Sequence, residues 1–400
     1  SEKLSELFLK HSETEDAVVR KERILEELKT AARKLQMAAR EAEAAEAATE
    51  VRRLAKDDAQ ARTTLALLGV VPPLVGLLDA AAEAEGTAAA YCSQIASLYA
   101  LLNLSIANNA NKAAIVKAGA IAKMMKLINA APNQQTVSEA VAANFLSLSA
   151  LDSNKPIIGA SSGAIPFLVD TLKRRHSSTP QSKCDSLRAL SNLSISPRNL
   201  LPILETDLVP HLFNRLGADA TSANERILSI LCNLASVSEG RREIGSVPDA
   251  FPILVDVLNW RDSPECQEKA SYVLMVMARR SYEDKRAMIE AGIVSALLEL
   301  TLVGSNLAQR MASRMLESFT TDKAASSPAS SLSLINLSDQ MEVFDEEDEE
   351  EEEEGDSSSA AAGDGGMMSK EKKAVKQLVQ LSLQSNMKKM VLRANLPREF

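Results

Sequence analysis

Apolar residues along most of this chain recur three and four positions apart, in short bursts separated by polar breaks. That spacing places them on one face of a helix. Residues 154–197 show the unit most plainly. A short apolar stretch at 156–160 is followed by Gly163, whose tolerance of a positive φ suits a tight corner between two helices. Pro166 comes where the next helix would start, a place where its missing N–H costs nothing. Phe167, Leu168, Thr171 and Leu172 resume the helical spacing, residues 173–181 with Pro180 read as a polar loop, and Leu187, Leu190 and Leu193 mark one face of a longer helix over 186–194. The pattern predicts helix, glycine corner, helix, loop and longer helix. None of the three helices can bury its apolar stripe alone, so each must pack on the other two and on a neighbouring copy.

The corner phrase occurs six times. It reads Gly-Val-Val-Pro-Pro-Leu from Gly69, Gly-Ala-Ile-Ala-Lys-Met from Gly119, Gly-Ala-Ile-Pro-Phe-Leu from Gly163, Asp-Leu-Val-Pro-His-Leu from Asp207, Asp-Ala-Phe-Pro-Ile-Leu from Asp249 and Gly-Ile-Val-Ser-Ala-Leu from Gly292. The intervals are 50, 44, 44, 42 and 43 residues. A second phrase keeps step with it on the longer helix: Ala100-Leu-Leu-Asn-Leu-Ser, Phe145-Leu-Ser-Leu-Ser, Ala189-Leu-Ser-Asn-Leu-Ser, Ile230-Leu-Cys-Asn-Leu-Ala, Val273-Leu-Met-Val-Met-Ala and Met315-Leu-Glu-Ser-Phe. A fixed period in this range is the signature of a stacked-repeat solenoid. No run of alternating β-branched residues signals a strand. Such stacks present long surfaces whose usual work is holding other proteins.

These two phrases resemble the armadillo repeat, a three-helix unit of about this period. Gly-Ala-Ile-Pro-x-Leu and Ala-Leu-x-Asn-Leu-Ser are similar in particular to the armadillo repeats of plant proteins related to U-box ubiquitin ligases, and Glu50-Val-Arg-Arg-Leu-Ala-Lys-Asp-Asp resembles the first repeat of that group. The resemblance spans roughly residues 45–320 and implies an all-α fold, a right-handed α-solenoid of about six three-helix repeats. A fold alone does not give an activity.

Around that array the chain divides into further regions. Residues 1–44 carry Ile24, Leu25, Leu28 and Leu35 at helical spacing with Ala31, Ala32, Ala38 and Ala39. They form either a helical cap over the first repeat or a coiled-coil contact. The first repeat holds an Ala/Glu-rich excess at residues 79–90, expected as a surface loop. Residues 321–369 are a Ser/Ala-rich and acidic linker, with ten consecutive acidic residues at 345–354, a density that predicts disorder. Residues 370–400 reverse sign, with eight Lys+Arg against two acidic residues. Val375, Leu378, Val379, Met387, Met390 and Val391 can share one face of a basic amphipathic helix there. Three roles stay open for that helix: covering the last repeat, docking in a partner's groove, or lying on an anionic membrane.

The core has few aromatics (3% of residues) and is filled by Ala, Leu, Ile, Val and Met, which suits helices stacked at close range. The net charge of −9 resides in the tail: residues 51–320 carry 27 Lys+Arg against 25 Asp+Glu, residues 321–400 carry 9 against 17. Cys92, Cys184, Cys232 and Cys266 lie tens of residues apart, away from metal-ligand spacing, and read as small apolar filler in a reducing compartment. His11, His176 and His211 are equally scattered. There is no nucleophile–base pattern, phosphate loop or paired-acid motif, no secretory signal pattern and no apolar run of membrane-spanning length. No enzyme activity, cofactor or metal is expected, nor nucleic acid, since only the last thirty or so residues are basic.

The longer helices should line the inner, concave side of the stack. In armadillo proteins that bind extended peptides, an asparagine on each such helix bonds the ligand backbone, an amide being both donor and acceptor. Asn103, Asn192 and Asn233 occupy that slot here, and Ser147, Val276 and Ser318 fill it in the other copies. Each asparagine either meets a ligand or braces its own repeat. Nuclear import receptors of this type place a tryptophan four residues earlier, where this chain has Tyr99, Ala143, Arg188, Ser229, Tyr272 and Arg314, and its one tryptophan, Trp260, falls in a loop. The import-receptor reading is therefore rejected. The inner side should instead offer Arg188, Arg226, Lys269 and Arg314 with Tyr99 and Tyr272, cations that favour an extended or acidic protein segment unless they pair with neighbours such as Glu225 or Glu317. The acidic run, tethered nearby, could occupy the same surface. The expectation is a non-catalytic protein-binding scaffold in the cytoplasm, nucleus or both. The alternative is the substrate-recognition portion of a U-box ubiquitin ligase. No segment resembles the Cys-Pro-Ile-containing start of a U-box, and the first residue is Ser1 rather than methionine, which leaves residues upstream open.

Overall fold

In the computed structural model of the chain, the backbone is described for residues 2–79, 88–130, 134–174, 178–218 and 221–325, and side chains for 18–79, 90–130, 134–174, 178–218 and 221–319. The insertion at 80–87, the acidic run and the basic segment at 370–400 lie outside them, and with them the expectations placed there. Every regular element among the described residues is a helix. The chain folds as an all-α solenoid whose contacts separate two compact units, Ser1–Ile253 and Leu254–Phe400.

The first unit opens with α1 (Glu2–Met37) and α2 (Glu41–Ala55) and continues in triplets. These are α3 (Ala59–Leu67), α4 (Val71–Leu77) and α5 (Ala88–Ser105); α6 (Asn109–Lys117), α7 (Ala120–Ala130) and α8 (Gln135–Ser149); α9 (Lys155–Ala160), α10 (Ala164–Lys173) and α11 (Pro180–Ser194); α12 (Pro197–Leu204), α13 (Leu208–Arg215) and α14 (Thr221–Ala235). A 3-10 turn at Asp152–Asn154 leads into α9. Next come α15 (Ser238–Ser246) and α16 (Ala250–Val257), which crosses the boundary between the units. The second unit holds α17 (Pro264–Arg280), α18 (Tyr282–Glu290), α19 (Ile293–Val303) and α20 (Asn306–Ala325).

The longer helices α5, α8, α11 and α14 pack side by side in one row, with α2 at its head. This is why their phrase recurs: its two leucines, Leu101 and Leu104, Leu190 and Leu193, Leu231 and Leu234, are fully buried between neighbours. Phe145 and Phe167 meet edge to face, with ring centroids 6.0 Å apart. The first helices form a second row. On α1, Leu28, Ala31, Ala32 and Leu35 are buried where the helix packs on α2, α3 and α4, and the Gln36 amide donates to the Leu68 carbonyl at 2.8 Å. The break between α1 and α2 falls at residues 38–40.

Gly69, Gly119, Gly163 and Gly292 turn their corners with φ between +80° and +86°, where any side chain would be strained. Asp249 makes the same left-handed corner at φ +60°. Asp207 does not. Its φ is −81°, and that turn closes on Thr206, whose hydroxyl donates to the Ile203 carbonyl at 2.6 Å. The polar loop after α10 is also shorter than its composition suggests. Pro180 belongs to α11, where proline fits the first turn, and Thr179 caps the helix by accepting from the Ser182 N–H at 3.2 Å.

A tie between repeats runs along the first-helix row. Asn111 donates to the Arg62 and Leu104 carbonyls at 3.0 and 2.9 Å, Asn154 to those of Lys112 and Leu148 at 3.2 and 3.1 Å, and Asn199 to those of Lys155 and Leu193 at 3.0 and 3.0 Å. All three are buried. Each amide joins one carbonyl near the end of the preceding longer helix to one on the preceding first helix, a second partner for main-chain acceptors that also take backbone N–H groups, as Leu148 does from Leu151 and Leu193 from Ser196. In the next copy Gly240 holds this position, and the backbone itself comes so close that an added Cβ would stand 1.9 Å from the Leu234 carbonyl oxygen. A cation follows this position in every copy except that of Asn199, which Leu200 follows: Arg62 after Ala61, then Lys112, Lys155 and Arg241, with Lys285 in the second unit. Arg62 donates to the Ala55 and Lys56 carbonyls at 2.8 and 2.7 Å, and Arg241 to those of Ala235 and Ser236 at 2.9 and 3.0 Å, at helix C-termini where positive charge is favoured.

In the second unit, α17 packs on α18 and α20, and α19 on α18 and α20. Lys285 lies over the Phe319 ring, 5.1 Å from its centroid, and donates to the Ser318 carbonyl. Asp284 stands at the tie position, and burial pushes its carboxyl above the ordinary carboxylate range.

Candidate protein-binding site

The sides of α5, α8, α11 and α14 that are not packed into the stack converge on a trough of about 500 Å³ in the first unit. Leu102, Ile106, Ala143 and Leu146 give it an apolar floor, and Ser147, Asn192, Asp185, Lys112, Arg188 and Arg226 supply its polar groups. Helical spacing explains the grouping. Asp185, Arg188 and Asn192 lie three and four residues apart on α11, and so share one face. Of the residues expected from sequence, the trough brings together Asn192, Arg188 and Arg226; Asn103, Asn233 and Tyr99 are not part of its wall.

The asparagine positions are already engaged, and with the preceding repeat rather than their own. Asn103 donates to the Arg52 carbonyl at 2.9 Å, Asn192 to the Ser149 hydroxyl at 3.2 Å, and Asn233 to the Ser194 hydroxyl at 2.9 Å. Where serine replaces asparagine, the Ser147 hydroxyl pairs with that of Ser105 at 2.6 Å. What this ladder keeps for a ligand is mainly its amide oxygens, which can only accept. Tyr99 is also engaged: the Arg52 guanidinium sits 4.3 Å above its ring centroid.

The cations behave differently. Arg188 and Arg226 are exposed, and neither makes a hydrogen bond or ion pair with any described residue; the pairing of Arg226 with Glu225 does not form. Both also border a second cavity of about 670 Å³, lined by Leu172, Leu187, Lys183, Cys184 and Arg215 together with the first turn of α14. Asp185, only 7% exposed, accepts from the Gln181 amide at 2.9 Å, and burial raises its carboxyl above the ordinary range against the opposing pull of Arg188. Asp185 and Lys112 escaped the sequence reading. The signal was there in outline, since Lys112 belongs to an Asn-Lys pair repeated at Asn154-Lys155 and Asp185 sits two turns before Asn192.

In the second unit Lys269 and Tyr272 lie on α17, half-buried and 37% exposed respectively, and Arg314 is exposed on α20. Arg314 forms no ion pair with Glu317. The cysteines only partly match the filler reading: Cys266 is buried and Cys232 half-buried, while Cys92 and Cys184 are exposed because they fall on the open sides of α5 and α11. Trp260 lies in the turn after α16, its indole N–H donating to Asp256 at 3.2 Å.

Comparison with known proteins agrees with this architecture. A crystal structure of an engineered protein from a structural genomics consortium superposes with a TM-score of 0.54 at 21% identity, covering 72% of this chain and 77% of that one; this supports the fold alone. U-box domain-containing protein 45 of Arabidopsis thaliana is 29% identical over 270 residues, 68% of this chain and 34% of that protein. U-box domain-containing protein 7 of the same plant is 36% identical over 197 residues, 48% of this chain and 24% of that protein. The chain thus spans about a third or less of the length of these relatives. The plant U-box protein ARM repeat region family matches residues 27–337, and with its period, corners and paired phrases accounted for in three dimensions, the chain belongs to that family of armadillo repeats.

Proposed function

We propose that this chain is a non-catalytic scaffold that holds an extended, acidic segment of a partner protein along the trough of α5, α8, α11 and α14. The observation that carries this reading is the pair of unpaired, exposed arginines, Arg188 and Arg226, beside an apolar floor and the half-exposed amide of Asn192. Carboxylates of a partner would meet guanidinium groups, a backbone N–H would meet the Asn192 amide oxygen, and its apolar side chains would cover Leu102 and Leu146. Capture of partners by the full chain, compared with Arg188→Glu and Arg226→Glu, tests this. Acidic segments should be retained at low salt, released as salt rises, and lost in both charge reversals; retention unchanged by the reversals would overturn it.

A second reading is favoured by the names and lengths of the relatives: the chain serves as the partner-recognition portion of a U-box ubiquitin ligase. Sequencing the transcript upstream of Ser1 tests it. A Cys-Pro-Ile-containing segment joined in frame supports the ligase reading, and an in-frame stop shortly upstream rejects it.

A further inference from the structure

One apolar pair recurs on the second helix of each repeat and is buried in the first five copies. It is Val71 and Val75 on α4, Ile121 and Met125 on α7, Ile165 and Val169 on α10, Val209 and Phe213 on α13, and Phe251 and Val255 on α16, each 7% exposed or less. In the first unit Met125 shows where the pair points: its Cε lies 3.2 Å from where a Cβ at Gly163, the corner of the following copy, would stand. On α19 the pair is Val294 and Leu298, and it is open, with Val294 37% exposed and Leu298 half-buried. One turn further on, Leu302 is 52% exposed. The earlier copies hold Asp79, Asn129, Lys173, Gly217 and Asn259 at that position, so the last copy lengthens its apolar face where the others end in polar residues or glycine. Val294, Leu298 and Leu302 are four residues apart and form one stripe along α19. Beside it on α20, Leu316 is half-buried at the position where Leu190, Leu231 and Leu274 are fully buried.

A stripe of three side chains on one helix falls well short of the about 800 Å² per partner that a stable dimer buries. A segment of the same chain needs less, because its tether keeps it at a high effective concentration. The chain continues past α20, and residues 370–400 carry Val375, Leu378, Val379, Met387, Met390 and Val391 at helical spacing among eight Lys and Arg. Residues 326–369 separate the two, and a linker of that length reaches roughly 35–40 Å even as a random coil. That is more than twice the length of α19, about 16 Å. We propose that residues 370–400 dock as an amphipathic helix on the stripe of Val294, Leu298 and Leu302, and so close the last repeat within the second unit. The apolar side of the segment takes the place of the missing next copy, and its cations stay in water. This closure is independent of the trough and of any partner held there.

The test is hydrogen–deuterium exchange on the full chain, with a synthetic peptide of residues 370–400 as the reference. Amides of 375–391 should exchange at least about tenfold more slowly in the chain than in the peptide. Val294→Asp combined with Leu302→Asp, and separately Val379→Asp on the segment, should return them to the peptide's rate. Unchanged protection of α17 in each variant confirms that the second unit folds. Lys388→Glu, on the polar side of the segment, should leave the slowing intact. Peptide-like exchange across 375–391 in the unaltered chain overturns the docking, as does slowing that survives the double substitution on α19. Slowing that appears only as the chain concentration rises assigns the stripe to a second copy and overturns it too. So does slowing that requires vesicles of phosphatidylserine, or that falls on residues 331–344 in place of 375–391.

Discussion

Two sets of asparagines recur along the first unit at nearly the same period, and they do different work. Asn111, Asn154 and Asn199 on the first-helix row are buried and spend both amide hydrogens on carbonyls of the preceding repeat. Asn103, Asn192 and Asn233 on the longer-helix row are half-exposed and tie to the preceding repeat by one hydrogen bond each. The first set closes main-chain acceptors that water cannot reach. The second steadies helices at a surface that remains open. Residue type and spacing are shared, so burial and the identity of the acceptor separate a structural amide from one poised beside a ligand surface.

The largest effect is expected from Asn154→Ala, which removes two buried hydrogen bonds at once, those to the Lys112 and Leu148 carbonyls. It should cost about 2–4 kcal/mol and lower the melting temperature by roughly 5–10 °C, read by circular dichroism. A loss below that of Asn192→Ala would break the distinction. Next comes the corner. Gly163→Ala forces a side chain to φ +86° and should cost about 1–2 kcal/mol, while Asp249→Gly, relieving φ +60°, should gain up to about 1 kcal/mol; urea midpoints of the pair should move in opposite directions. Asn192→Ala ranks third, at about 0.5–1 kcal/mol, because the Ser149 hydroxyl keeps its own bond to the Leu146 carbonyl at 3.0 Å.

Asp185→Asn is the smallest. Burial raises the Asp185 carboxyl in the folded state, so the fold prefers its protonated form. The penalty is absent below the ordinary carboxylate range and appears as pH rises through the elevated folded value. The asparagine should therefore be slightly more stable at pH 7, by a few tenths of a kcal/mol, with the gain vanishing near about pH 4. A gain that grows on acidification would contradict the burial of that carboxyl.

The repeat and its corners were legible because each rests on local chemistry: leucines that must be buried every three to four residues, and glycines that alone turn left-handed at no cost. Asp207 shows where this ends, since a residue can hold the corner position and take another φ when its neighbour, here Thr206, closes the turn. The trough was half legible. Arg188, Arg226 and Asn192 follow from the longer-helix phrase, but Asp185 and Lys112 reach it through the packing of α11 and of α6 against its neighbours, which one repeat read alone does not contain. Nor could spacing reveal that the asparagine donors were already committed, because their acceptors lie between 39 and 51 residues away.

The buried amides make their bonds to the main chain of the preceding copy and never to its side chains. Any predecessor offers the same two carbonyls, whatever its sequence. A repeat that carries this asparagine therefore brings its own fastening to the copy before it, whereas the copy with Gly240, whose backbone stands where a side chain would, does not. In these three copies the register is held by main-chain contacts, so side chains on surfaces such as the trough can change without touching the fastening.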